Sequence, residues 1–196
     1  MKRREARWER VTRETRIRAR VLLDGRGLAR IRTGIPFFDH MLTLFGAHGF
    51  IEMSLHAQGD LDVDSHHTVE DVGIVLGDAI ANALGDRNGI RRYGFAVTPM
   101  DDAQASVAVD LSRRPYLIVR VPPGEMTERS FNRSLAKEFF RALANHVGMN
   151  LHITVPYGEN EHHILEAVFK SFGRALNQAV VRDERITGVR SSKGSL

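Results

Sequence analysis

The sequence predicts an α+β fold made by tandem duplication of a β-β-α-β-α half-domain, with sheets backed by helices and the two copies related by a pseudo-two-fold axis. Three observations predict it. Short runs alternate apolar and polar residues with the period of a half-buried strand, and each set of runs is followed by apolar residues at helical spacing. The order of these patterns in the first half then returns almost step for step in the second, as expected of two like supersecondary units packed together. The expected organisation is one domain over residues 1–196, with half-repeats at about 10–92 and 93–190 and "GDRNGIRRYG" as the joint.

Residues 15–23, "TRIRARVLL", alternate Thr15, Ile17, Ala19, Val21 and Leu23 with Arg16, Arg18 and Arg20, so the arginine run reads as the solvated face of a strand. "DGRG" is turn chemistry, and "LARIRT" is expected to return as the hairpin partner. Pro36 suits the first turn of a helix that carries Phe37, Phe38, Met41, Leu42, Leu44 and Phe45 and ends near Gly49. A strand, "FIEMSLHA", and a polar loop, "QGDLDVDS", come next. From His66, the residues Val69, Val72, Leu76, Ala79, Ile80 and Ala83 keep helical spacing. In the second half, "ASVAVDL" and "PYLIVRV" are expected to pair as a hairpin through "SRRP". A helix from about Asn132 to His146, the strand "LHITV", the loop "PYGENE" and a helix from His162 through Val168, Phe172 and Leu176 complete the repeat.

Composition narrows the chemistry. A chain of 196 residues, 42% hydrophobic, can bury one sizeable core. No stretch approaches the roughly 20 apolar residues of a membrane span, and "MKRREARWER" lacks the apolar core of a signal peptide, so a cytoplasmic protein without a membrane partner is expected. The absence of cysteine excludes disulfides, thiolate nucleophiles and sulfur-ligated metals; any metal must be held by histidine and carboxylate. A net charge of +4 suits either nucleic acid or a small phosphorylated substrate.

The chemistry-bearing signal is "DSHHTVED" at 64–71, echoed by "NEHHILEA" at 160–167. Residues three and four apart share a helix face, so Glu70 lies beside His66 and His67, and Glu166 beside His162 and His163. Neighbouring histidines diverge by about 100° around a helix, so each pair serves two ions more readily than one. A single such motif reads as solvated side chains at a helix start; two copies in matching places point to metal. Equivalent places in the two first helices add His40 and Glu138. The set of His40, His66, His67, Glu70, Glu138, His162, His163 and Glu166 suffices for two ions with open positions, and suits manganese, iron(II), nickel or zinc. His48, His56, His146 and His152 fit the scheme less well and read as structural or surface residues.

"GIPFFDHM", "DSHHTVED", "ENEHHILEAVFK" and "SSKG" together, in this order, resemble the imidazoleglycerol-phosphate dehydratase family over nearly the whole chain. The resemblance implies a hydro-lyase of histidine biosynthesis that converts imidazoleglycerol phosphate to imidazole acetol phosphate with two Mn2+ ions per active site. It also implies self-association, trimers assembling into a 24-mer with active sites between subunits, and no nucleic-acid partner. The substrate's carbon-bound proton has no carbonyl to acidify it, so an imidazolate held between two ions would be the electron sink. His67, Glu70, His163 and Glu166 then stand at the catalytic centre. By the same resemblance Glu14 is the acid/base, while Arg92, Arg114, Lys170, Ser191, Ser192 and Lys193 bind the phosphate, Arg by its bidentate fork and Lys as a point charge. Taken as residues alone, Glu14 is one more charge on a polar strand face and "SSKG" a polar tail. Two rival readings remain at this level. A dinuclear metallohydrolase such as a phosphatase would use the same ligands to activate water, and a nucleic-acid or metal-binding module would use the arginines. Against the latter, the binding of nucleic-acid phosphate has no use for carboxylates clustered beside histidines.

Overall fold

Eight strands and four helices carry the two repeats in a computed structural model that describes residues 3–123 and 130–194. Strands β1 (Glu5–Val11), β2 (Thr15–Leu22), β3 (Ala29–Arg32) and β4 (Glu52–Gly59) form one sheet in the order β1-β2-β4-β3. Strands β5 (Tyr93–Met100), β6 (Ala103–Asp110), β7 (Tyr116–Arg120) and β8 (Asn150–Tyr157) form the other in the order β5-β6-β8-β7. Helices α1 (Pro36–Gly49) and α2 (His66–Leu84) lie on the first sheet, α3 (Arg133–Val147) and α4 (Glu161–Val180) on the second. The α+β class and the duplicated unit stand, each copy preceded by one further strand, β1 or β5.

Neither expected hairpin forms. β4 lies between β2 and β3, and β8 between β6 and β7. The cause is direction: β3 runs parallel to β4 and β7 parallel to β8, and a parallel pair needs a long crossover, supplied by α1 and α3. The polar turns "DGRG" and "SRRP" therefore lead to the far edge of each sheet and not to the adjacent strand.

Across the two halves the helices pair as α1 with α4 and α2 with α3. Small residues set the closeness of both contacts. A Cβ on Gly77 would come within 2.5 Å of His146 Cβ and 3.2 Å of the Leu143 carbonyl oxygen, and one on Gly173 within 2.6 Å of the Phe45 carbonyl oxygen. The match also fixes the register of the repeat, because Gly77 abuts Leu143 and Val147 as Gly173 abuts Phe45 and Gly49. Five residues before Phe45 is His40, and five before Leu143 is Glu138, so Glu138 holds on α3 the place that His40 holds on α1. The hairpins obey the same symmetry. Val11 faces Arg16 and Pro99 faces Gln104; three residues beyond Val11 is Glu14, and three beyond Pro99 is Asp102.

Buried phenylalanines seal the seam between halves. Phe38 stacks on Phe131 with ring centroids 4.5 Å apart, and Phe45 meets Phe172 at 4.9 Å. Each such ring contributes about 1.5–3 kcal/mol by leaving water. Arg87, buried and in the left-handed region at φ 64°, donates to the carbonyls of Val147 and Gly148, capping α3 with a residue of the first half. Burial lowers its pKa to about 10. No helix among the described residues is long and apolar enough to cross a membrane.

Candidate functional site

Each histidine pair sits where a cap starts a helix. The Asn160 side chain accepts the His162 backbone N–H at 2.9 Å, and Asp64 Oδ1 accepts that of His66 at 2.7 Å. Such caps satisfy first-turn donors that the helix leaves unpaired. Pro36 starts α1, and one turn on, His40 reaches Glu166 in the second turn of α4.

There a cluster assembles. Glu166 Oε1 lies 3.0 Å from His40 Nε2 and 2.9 Å from His162 Nε2, and one ligand atom from each of the three residues fits within 4.8 Å of the others. Among the described residues this is the single group of three or more such side chains so close together. Lys170 Nζ approaches the second oxygen, Oε2, at 2.6 Å. Burial pushes the Glu166 carboxyl up, but hydrogen bonds from Lys170, His40 and His162 outweigh it and hold the pKa at about 2. The donors fit a divalent ion of borderline or hard character: two imidazoles, one ionised carboxylate and no sulfur.

The symmetry-related place on α2 and α3 is looser. His66 Nε2 stands 3.9 Å from Glu70, and the Glu138 carboxylate accepts from Arg141 Nη1 at 2.9 Å. The second histidine of each pair turns aside, as the helical angle predicts. The rings of His66 and His67 stand at 85° to each other and those of His162 and His163 at 77°. His67 Nδ1 meets Asp60 Oδ2 at 2.9 Å and His163 Nδ1 meets Asp102 Oδ1 at 2.5 Å. Sequence reasoning assigned neither aspartate: Asp60 lies in the loop "QGDLDVDS" and Asp102 in the turn between β5 and β6. His146 is bonded to Asp78 at 2.9 Å. His48 has a lowered pKa from burial and from the nearby charges of Lys170 and Arg174.

The residues expected to hold phosphate gather in a separate cavity of about 730 Å3, lined by Arg92, Arg114, Ser191, Ser192 and Lys193. Arg113 and Arg190 also line it and were not anticipated; the doubled arginine of "SRRP" was the available signal for the first. Arg92 is largely committed within the chain, with Nε 2.6 Å and Nη2 3.0 Å from Asp110 and Nη1 2.7 Å from the Arg190 carbonyl, which ties down the tail. Lys170 is not in this cavity; it belongs to the Glu166 cluster. Glu14, exposed in the first hairpin turn, stands 3.9 Å from His67 Nδ1. A larger cavity, about 1000 Å3, lies on the outer face of the first sheet among Arg7, Arg18, Arg20, Arg30 and Arg32, and none of the paired histidines lines it.

Comparisons with known proteins agree on one family. The family model described as imidazoleglycerol-phosphate dehydratase covers residues 33–176. Proteins of that name from Desulfosudis oleivorans and Syntrophobacter fumaroxidans are each 58% identical to the chain, over 193 and 194 residues, covering 98% and 99% of it and 99% and 98% of themselves. The solved dehydratase structure from Staphylococcus aureus superposes with a TM-score of 0.82 at 35% identity, covering 91% of this chain and 99% of its own. That from Pyrococcus furiosus superposes at 0.84 with 40% identity, covering 96% and 99%. With the family model spanning most of the chain and relatives this similar over full length, the chain belongs to the imidazoleglycerol-phosphate dehydratase family of hydro-lyases.

Proposed function

We propose that the chain dehydrates imidazoleglycerol phosphate to imidazole acetol phosphate in cytoplasmic histidine biosynthesis, using two Mn2+ ions per active site at centres shared between copies of the chain. The observation that carries this reading is the cluster of His40, His162 and Glu166 together with its symmetry-related counterpart at His66, Glu70 and Glu138. His67 and His163 complete the eight ligands. Bound divalent ions would supply Lewis acidity that favours the deprotonated imidazole ring of the substrate, making the ring an electron sink.

The rest falls to side chains. Glu14, exposed and beyond hydrogen-bonding distance of His67, can accept a proton and return it. Loss of the carbon-bound proton and of hydroxide, which leaves as water, gives an enol that tautomerises to the ketone. Arg114, Lys193, Ser191 and Ser192 donate to the phosphate, and Arg92 holds the tail that carries three of them.

Distance within one chain supports a shared site. The Arg92 N–H bonds the Ala179 carbonyl at 2.9 Å, so the phosphate cavity stands level with the last turn of α4. His162 is seventeen residues earlier on the same helix, about 26 Å at 1.5 Å per residue. A three-carbon chain between ring and phosphate cannot reach that far. On this reading cavity and ligands come from different copies, in keeping with the trimers and 24-mer that the family resemblance implies. The test is direct: strip the protein with chelator, reload it with manganese, add imidazoleglycerol phosphate and follow the enolisable ketone. Ketone formation without metal, or inorganic phosphate as the product, would sink the proposal.

A further inference from the structure

The two halves repeat the hairpin turn that approaches each histidine pair, yet the acid in that turn has different partners in the two copies. In the second half, Asp102 Oδ1 lies 2.5 Å from His163 Nδ1, while Oδ2 accepts the backbone N–H groups of Glu159 at 2.6 Å and Asn160 at 3.0 Å. One carboxylate thus fixes both the ring and the loop that leads into α4. In the first half the corresponding acid, Glu14, is 3.9 Å from His67 Nδ1 and makes no hydrogen bond to it. That nitrogen is instead 2.9 Å from Asp60 Oδ2, in the loop after β4. The other oxygen of Asp60 is buried and has no hydrogen-bond partner among the described residues, so His67 is the side-chain partner of this carboxylate.

Aspartate carboxyls ordinarily titrate far below neutral pH, so both are carboxylates there. An ionised carboxylate only accepts, so each Nδ1 must carry a proton. The neutral ring then has one lone pair, on Nε2. His163 Nε2 faces Asp101 at 3.4 Å, a longer contact to an exposed carboxylate that no backbone N–H holds; Asp102 is the closer and better-fixed partner. His67 also faces Glu14 and Asp64, which add negative potential without a hydrogen bond to the ring.

We propose that Asp60 and Asp102 are positioning residues that fix His67 and His163 as Nδ1–H tautomers, presenting each Nε2 lone pair to a metal ion, and that the transfer of His67 to Asp60 is what leaves Glu14 free to exchange a proton. The inference rests on the metal-ligand reading of the histidine pairs. It accounts for a difference between two otherwise matching turns: an acid pinned on both oxygens, as Asp102 is, cannot cycle a proton, whereas an acid released from that duty can. A carboxylate behind a ligating histidine sets ring orientation and raises its basicity, and loss of such a partner typically costs metal affinity.

The experiment uses the whole protein labelled with 15N-histidine, metal-free and above the titration range of histidine, and reads ring tautomers by magic-angle-spinning NMR, which does not depend on particle size. Asp102→Asn and Asp60→Asn keep the shape and an accepting oxygen, but their amide can donate to Nδ1. Each should convert one of the nine histidines from Nδ1–H to Nε2–H. Manganese affinity, measured by chelator competition, should fall roughly 10- to 100-fold. Asp102→Glu should restore both signals, and Glu14→Gln should move no tautomer. Unchanged tautomers in the two asparagine variants, or a tautomer change in Glu14→Gln, would overturn the proposal. Converted tautomers with undiminished metal affinity would uphold the positioning and sink the ligand reading on which it rests.

Discussion

Replacing Glu166 with glutamine should destabilise the metal-free protein by on the order of 3 kcal/mol at neutral pH. A carboxyl that titrates at about 2 in the folded chain and 4.5 in the unfolded one carries that much linkage free energy. Its side chain is 9% exposed, so solvent screens little of it. The amide leaves Lys170, 15% exposed, without its counter-charge and gives His40 and His162 a neutral acceptor oxygen in place of an ionised one. For a chain of this size about 3 kcal/mol corresponds to a fall in melting temperature of roughly 6–12 °C. The sign with pH follows from the depressed folded value: the contribution is fully present above the unfolded pKa of 4.5 and is lost as pH falls toward 2. Thermal melts in excess chelator should be run at one protein concentration, because assembly contributes to apparent stability. The variant should melt lower at pH 7 and converge on the wild type near pH 2. A difference at pH 7 below about 2 °C, or parallel curves across the acid range, would refute the assignment of these partners.

Three further outcomes follow from the site. Glu138→Ala should lose metal affinity and nearly all activity, Glu138→His should keep part of both, and His146→Ala, whose ring is held by Asp78, should be close to silent; metal titration with His146 bound and Glu138 free would reverse the assignment. Lys193→Ala removes an exposed charge from the phosphate cavity and should lower kcat/KM roughly ten- to hundredfold, mainly through KM, with melting unchanged, since a charge-assisted contact is worth about 1.5–3 kcal/mol. Glu14→Gln should lower kcat while leaving melting and metal content at wild-type values, measured by steady-state kinetics and elemental analysis.

Helices were more legible in the sequence than strand pairing, for physical reasons that particular residues illustrate. Pro36, Asn132 and the apolar stripes behind them act locally, and α1 and α3 start within a residue of the expected places. Strand order is a long-range property. "DGRG" and "SRRP" look like hairpin turns, but nothing local reveals that β4 and β8 will insert beside β2 and β6. β1, "EARWERV", hides its period because it is an edge strand with no fully buried residue. β5 carries Pro99, tolerated at an edge where its missing N–H costs no ladder bond. The paired histidines were legible because duplication prints them twice. Asp60 and Asp102 were not, because only the folded sheets bring a loop and a hairpin turn to the two helix starts.

The repeat is informative where it fails as well as where it holds. On α4 the helical neighbour of Glu166 is Lys170, which neutralises it; the corresponding neighbour of Glu70 on α2 is Ile74. On the partner helices, His40 is replaced by Glu138. With imidazoles neutral, the α1/α4 cluster is balanced by its own lysine, while the α2/α3 place holds two carboxylates, of which Glu138 is offset by the half-exposed Arg141. A cation entering the first cluster competes with an ammonium 2.6 Å from its one carboxylate, whereas in the second Arg141 offsets Glu138 alone and leaves the Glu70 carboxylate in excess. Opposite charge at close range favours the second place, and more so where water is excluded. The two ion sites implied by one duplicated sequence are therefore unequal, and the inequality comes from two substitutions, one on each helix pair, that leave the backbone register of the halves intact.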